Sequence, residues 1–169
     1  LRGDEFLTLT KDQLEFGYRE SVIKKNNDIV LSAIFELKEG DAVELKAELD
    51  ENLMKRKESQ PFDAGSAGCM FKNIDVTDEQ LQRIAEKVDI PIEMKSAHRI
   101  SVGWLIDKLD LKGKQIGGAK ISDVHGNFLI NTGEATADDV VQLIALIKTR
   151  ARDEYGILLM EEVMYLGFK

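Results

Sequence analysis

The chain has 169 residues, 43% hydrophobic and 32% charged, with a formal net charge of −8. It reads as an ordinary soluble globular protein, long enough for one domain or one and a part, with a real core. The acidic balance excludes sequence-independent binding to nucleic acid, which needs a cationic footprint, but leaves room for a local basic pocket around a phosphorylated small molecule.

One cysteine cannot close an internal disulfide, so nothing calls for an oxidising compartment. No apolar run approaches the roughly 18 residues of a membrane span. No signal-peptide pattern is present, and a cytoplasmic location is expected. The chain starts at Leu1 rather than Met and reads as a piece of something longer. Two histidines and one cysteine, far apart, do not make a zinc site, and no metal is expected.

In chain order, Phe6-Leu7-Thr8-Leu9-Thr10 alternates like a short strand, and Lys11 to Phe16 forms a helical turn. Phe16 to Ser21 reads as a surface turn with a salt-bridged arginine. Ile29 to Leu37 is the clearest strand: Ile29, Leu31, Ala33, Phe35 and Leu37 share one face, Val30 and Ile34 the other, so both faces should be partly covered. Gly40-Asp41 opens a helix to about Ser59, with Leu45, Leu49 and Leu53 as its stripe, and Gln60-Pro61 ends it.

Ser66-Ala67-Gly68-Cys69-Met70-Phe71-Lys72-Asn73 follows as a loop. Small residues let backbone or ligand approach the thiol closely, and a cation and an amide come just after it. Taken alone, such a cysteine is more often a small core hydrophobe than a reactive group.

Thr77 and Gln80 form a capping box for a helix carrying Leu81, Ile84, Ala85 and Val88, which Pro91 stops. Residues 90–98 read as a loop. Ser101 caps a short helix with Trp104, Leu105 and Leu109. Leu111 to Ala119 is a Gly/Lys-rich connector with neither the Walker A spacing nor G-x-G-x-x-G, though Lys112 and Lys114 are available to phosphates. Lys120–Ser122 and Phe128–Asn131 read as strands around a turn with His125 at its tip. Thr136 caps a long helix, buried through Val140, Leu143, Ile144 and Ile147 and closed by Gly156. Ile157 to Leu166 is a final strand. Glu162 shares a face with Leu158, Met160, Met164 and Leu166, where desolvation would raise its pKa and suit it to proton donation. Glu161 has a similar argument on the other face, and spacing does not choose between them.

Five stretches, in order, resemble the C-terminal part of the UDP-N-acetylenolpyruvoylglucosamine reductase (UDP-N-acetylmuramate dehydrogenase) family. They are Tyr18-Arg19-Glu20-Ser21; Gln60-Pro61 with Ser66 through Asn73; Gly103-Trp104-Leu105-Ile106-Asp107 with Leu111-Lys112-Gly113; Ile116-Gly117-Gly118-Ala119 with His125, Asn127 and Asn131; and Gly156-Ile157 through Glu162-Val163 to Gly167.

The resemblance implies an NADPH- and FAD-dependent oxidoreductase that reduces an enolpyruvyl UDP-sugar in peptidoglycan synthesis. In the family, NADPH reduces FAD and hydride passes to the enolpyruvyl double bond. An arginine and a glutamate stabilise the enolate-like charge, and a serine donates the final proton. Carried over by motif, these roles fall on Arg19, Glu162 and Cys69. Cysteine replaces the serine, and Ser66 is the fallback donor. Tyr18, Lys72, Asn73 and His125 match positions around the UDP-sugar.

Ile74 stands where the family often has proline, and Met160 where its last strand usually has another glutamate. Residues 74–100 are longer than the commonest linker. The stretch from Arg19 to Gln60 leaves no room for the tyrosine loop of one subclass, which places the chain in the subclass lacking it.

The fold expected is α+β, a small sheet packed against helices over 58–169 as the UDP-sugar domain. The last strands of an FAD-binding domain would precede it over 1–57. The FAD pyrophosphate loop would lie before Leu1, so the chain alone should be inactive and bind FAD poorly. Two other readings stay open: a non-catalytic UDP-sugar-binding fragment, and a generic α+β interaction domain in which Arg19, Cys69 and Glu162 lie far apart.

Overall fold

A computed structural model describes residues 1–167. The chain divides into two compact units, Leu1–Glu48 and Leu49–Lys169, with the boundary inside one helix.

The first unit holds a 3-10 turn, Asp12–Leu14, and two helices, α1 (Val22–Asn26) and the start of α2 (Ala42–Ser59). α2 begins where the sequence places it, because the Asp41 carboxylate accepts the Val43 and Glu44 N–H groups. Two expected strands do not form. Residues 6–10 are irregular. Residues 29–37 are extended coil without a ladder, and Phe35 and Leu37 are 78% and 84% exposed. The alternating pattern is real, but a strand exists only where a neighbour takes its N–H and C=O groups. Among the described residues, Ile29 is the one that bonds across, to Leu1, beside an Arg2–Asp28 fork.

The second unit is α+β, as expected. Its main sheet has four antiparallel strands in the order β1-β6-β5-β4: β1 is Gly65–Cys69, β4 Gln115–Ile116, β5 Ala119–Ile121 and β6 Phe128–Asn131. A two-stranded ladder joins β2 (Ile74–Asp75) to β3 (Arg99–Ile100). The predicted hairpin appears as β5–β6, with Lys120 opposite Ile130.

The cysteine stretch is a strand rather than a loop. Gly, Ser and Ala carry no strand propensity, and it is pairing with β6 that makes β1. Thr77 and Gln80 close their capping box on α3 (Asp78–Ala85). α3 ends at Ala85, before Pro91 rather than at it, and Pro91 instead opens α4 (Ile92–Ser96) inside the expected loop, where its carbonyl accepts from Met94 and Lys95. Proline lacks only the N–H, which a helix start leaves unused.

Ser101 caps α5 (Val102–Lys108), and Thr136 caps α6 (Ala137–Tyr155), which Gly156 closes at φ +68°. α6 packs against β4, β5, α3 and α5. The core gathers Leu143, Ile147 and Ala151 of α6, Leu105 and Ile106 of α5, Ile84 of α3 and Ile121 of β5, all fully buried. Each large aliphatic side chain among them contributes roughly 1.5–3 kcal/mol through burial.

The final segment is not a regular strand. Among described residues it makes a single bridge, Phe71 to Glu161. Of the two faces left open by the spacing, the one with Ile157 and Leu159 meets the core, while Leu158 and Met160 are 75% and 65% exposed. A period of two cannot say which face turns inward, and packing against the core has turned the odd residues in.

Candidate active site

β1 and the last segment build one side of the site. Between Ser66 and Cys69 the register with β6 slips, and Gly68 takes φ +87° with nothing within 4 Å of where a Cβ would sit. The glycine is there for its backbone freedom, not for space. Cys69 emerges half-buried opposite Phe128, while Met70 and Phe71 next to it are core.

The last segment then pairs with this stretch. The Lys72 N–H donates to the Met160 carbonyl (3.0 Å), and the Glu162 N–H donates to the Met70 carbonyl (2.8 Å). These bonds join the backbone of the Glu162 segment to Met70, Phe71 and Lys72, the residues that follow Cys69. Glu162 is half-buried. The apolar neighbours expected to desolvate it, Leu158, Met160, Met164 and Leu166, are exposed, so that reason for proton donation does not hold.

Glu161 is different. Lys148 of α6 donates to its carboxylate at 2.8 Å. Burial works against its ionisation, but Lys148 and a backbone N–H outweigh that and hold its pKa below the usual carboxylate value.

Lys72 is half-buried and Asn73 exposed. The Asn73 Oδ1 accepts the Val102 N–H at 3.2 Å, which anchors the start of α5. Lys112 pairs with Asp107 (2.8 Å).

His125 is half-buried in the β5–β6 turn rather than projecting from its tip. The buried Ser122 hydroxyl accepts the Val124 and His125 N–H groups, which shapes the turn. The imidazole stands edge-on to Phe128, with centroids 4.9 Å apart. It also lies so close to α5 that a Cβ at Gly103 would sit 2.7 Å from its Cε1. Its Nδ1 accepts the Asn127 N–H (3.1 Å), so the proton of the neutral ring sits on Nε2.

Desolvation, with a contribution from the Lys112 charge, lowers the His125 pKa below the usual 6.5. The unfolded chain therefore takes up this proton first as pH falls. Stability should drop as pH is lowered through 6.5 towards the folded value, then level off. Urea midpoints for the wild type and His125→Gln between about pH 8 and about pH 5.5 check this. The wild type should show a slope that the variant lacks, and equal slopes would exclude it.

Tyr18 and Arg19 belong to the first unit. They form the tip between Gly17 and Glu20, which exchange backbone hydrogen bonds of 3.0 and 3.3 Å. Arg19 adopts φ +58°, uncommon for a side-chain-bearing residue, and its guanidinium lies 5.3 Å from the Tyr18 ring centroid. Lys24 Nζ donates to the Arg19 carbonyl. Both residues are exposed.

Two positioning groups carried no functional expectation in the sequence, Ser122 and Asn127. Both are buried polar residues next to an apolar strand; in the sequence Asn127 showed only as part of the fourth matching stretch. Among the described residues, no three His, Cys, Asp or Glu side chains are placed to hold a metal, and no helix is long and apolar enough to cross a membrane.

Residues 60–166 match the family model for the UDP-N-acetylenolpyruvoylglucosamine reductase C-terminal domain. Among similar proteins, the UDP-N-acetylenolpyruvoylglucosamine reductase of Synechococcus sp. (strain CC9605) is 40% identical over 169 residues, 99% of this chain and 49% of that protein. The one from Bacillus pumilus (strain SAFR-032) is 37% identical over 160 residues, 94% of this chain and 45% of that protein. The crystal structure of the Thermus caldophilus enzyme matches with TM-score 0.52 at 34% identity, covering 75% of this chain and 36% of that one. The chain thus spans about half the length of the relatives it matches. The resemblance read from the five stretches is borne out: the chain belongs to the UDP-N-acetylenolpyruvoylglucosamine reductase family.

Proposed function

We propose that this chain is the substrate-binding part of a reductase that converts an enolpyruvyl UDP-N-acetylglucosamine to UDP-N-acetylmuramate in cytoplasmic peptidoglycan precursor synthesis. In this reading residues 1–57 close a flavin-binding domain and 58–169 hold the UDP-sugar. FAD, reduced by NADPH, would supply the hydride. The residues assigned here bind substrate and move its proton, and none of them forms a cradle for the flavin.

The roles follow from chemistry. Arg19 offers a planar fork to the substrate carboxylate and to the enolate oxygen that develops when hydride adds to the double bond. Glu162 is the second group assigned to the same charge, and an aligned hydrogen-bond donor at such a centre is worth on the order of 3 kcal/mol. Cys69 gives its S–H proton to the remaining carbon, completing the saturated lactyl ether. The thiolate left behind recovers a proton from water. The unperturbed thiol pKa of about 8.5 makes it a stronger acid than the serine hydroxyl it replaces, with Ser66 the less direct donor. Lys72, Asn73, His125 and Tyr18 contact the UDP-sugar. His125, neutral with its proton on Nε2, acts as a hydrogen-bond donor there.

One observation supports the reading: the 160–162 to 70–72 pairing, which joins the Glu162 segment to the residues that follow Cys69. Calorimetry of this chain with the enolpyruvyl UDP-sugar, and NADPH oxidation after joining it to the upstream half of a family relative, test the proposal. Binding by the chain and turnover only by the joined protein are expected. Binding without turnover by the joined protein would favour the non-catalytic UDP-sugar-binding reading. No binding and no turnover would remove both.

A further inference from the structure

We propose that Asn127 is the positioning residue that ties the end of the Cys69 strand, the Glu162 segment and the His125 turn into one rigid unit. The proposal rests on the reductase reading only for what that rigidity serves.

Asn127 is 3% exposed, and every polar group it carries toward the site is engaged. Its side-chain Oδ1 accepts the Phe71 N–H at 2.9 Å, and its Nδ2 donates to the Phe71 carbonyl at 2.8 Å. The amide thus pairs with Phe71 as an extra strand residue would. Its backbone carbonyl accepts the Met70 N–H at 2.7 Å, and its own N–H goes to His125 Nδ1 at 3.1 Å.

Asn127 therefore clamps Met70 and Phe71, the two residues after Cys69. The same two residues receive the final segment, through the Met70 carbonyl to the Glu162 N–H and the Phe71–Glu161 bridge. On its other side Asn127 holds the imidazole in one tautomer. The side-chain pair needs an acceptor and a donor together, which neither an apolar side chain nor an ionised carboxylate of similar size supplies. Alanine removes both side-chain bonds. Aspartate keeps the acceptor and, only when protonated, the donor.

The test uses this chain without ligand, so its failure and the failure of the reductase reading are distinguishable. Cys69 is the only thiol, which makes alkylation a clean probe. In Asn127→Ala, Cys69 alkylation and amide exchange at Glu162 and Lys72 should each quicken ~10-fold, as expected when buried partners are lost. Exchange at Leu81 and Leu105, in α3 and α5, should stay unchanged. The His125 nitrogen shifts should report Nε2–H in both proteins, because alanine keeps the backbone N–H that Nδ1 accepts.

Asn127→Asp decides the matter where the alanine variant fails to fold. It should protect Glu162 as the wild type does at about pH 5.5, with the buried acid protonated, and lose that protection at about pH 8. A role confined to filling space would not produce this pH profile. A folded Asn127→Ala with wild-type alkylation and exchange would overturn the proposal. So would an Asn127→Asp equal to the wild type at both pH values, or a wild-type His125 protonated on Nδ1.

Discussion

Cys69→Ala, in the chain joined to a relative's upstream half, is expected to slow turnover of the enolpyruvyl substrate on the order of 10²–10⁴-fold, the range a positioned proton donor supplies. The cost should fall on the chemical step and not on binding, because alanine removes the proton and little else. Cys69 is half-buried at the end of β1, and the neighbouring Met70 and Phe71 keep their places through backbone bonds to Asn127 and the final segment. Calorimetry should therefore return the wild-type affinity for the UDP-sugar, and NADPH oxidation in the absence of substrate should be unaffected. Cys69→Ser should retain part of the activity, since a hydroxyl in the same position still carries a proton, though a less acidic one. Wild-type turnover in Cys69→Ala would move the donor role to Ser66 or to water.

Gly118→Ala is expected to destabilise the second unit by about 3 kcal/mol, at the upper end of what overpacking costs. Gly118 follows Gly117 in the two-residue turn between β4 and β5, where Gly117 takes φ +52°. A Cβ on Gly118 would lie 2.3 Å from the Ala135 backbone nitrogen and 2.4 Å from the Glu134 carbonyl carbon. Neither backbone can step aside cheaply. The Gly118 N–H is bonded to Asp139 at 3.2 Å, and its carbonyl accepts from both the N–H and the hydroxyl of Thr132 at 2.9 Å. Ala135 is held in turn by Asn131, and Asp139 by the α6 capping box. The thermal midpoint should fall by about 10 °C. A urea midpoint indistinguishable from the wild type would show that the two turns move apart freely.

The capped helices α3, α5 and α6 were legible because their signals are local, whereas α1 and α4 were not expected. Thr77 with Gln80, Ser101, Thr136 and Gly156 each act within one turn of helix, and each sits where the spacing predicted. The β5–β6 hairpin was legible for the same reason, since two alternating segments flank a short turn. Elements that depend on a remote partner were not. Residues 29–37 carry a stronger strand pattern than 65–69, yet the first remains coil and the second becomes β1. Pattern describes what a segment can pair as; the neighbour decides whether it does.

The site divides along the same line. Cys69, Arg19 and Glu162 were named from motifs, and the choice of Glu162 over Glu161 came from the adjoining Val163. Lys148 gives Glu161 a separate role, because α6 carries an ammonium to it from a turn no spacing rule connects to the last segment. Asn127 showed as part of a matching stretch but not as a clamp, since its partners lie 56 residues away.

From the sequence alone came the family, the α+β class, the caps at Thr77, Ser101, Thr136 and Gly156, and the short roll of groups able to move a proton or hold an anion. The tertiary structure decided which face of the final segment is buried, which strand β1 joins, and that Glu162 meets the end of the Cys69 strand. Helix caps and periodicities are settled by residues within a few positions of one another. Ladder partners and inward faces are settled only when distant segments compete for the same hydrogen bonds and the same core.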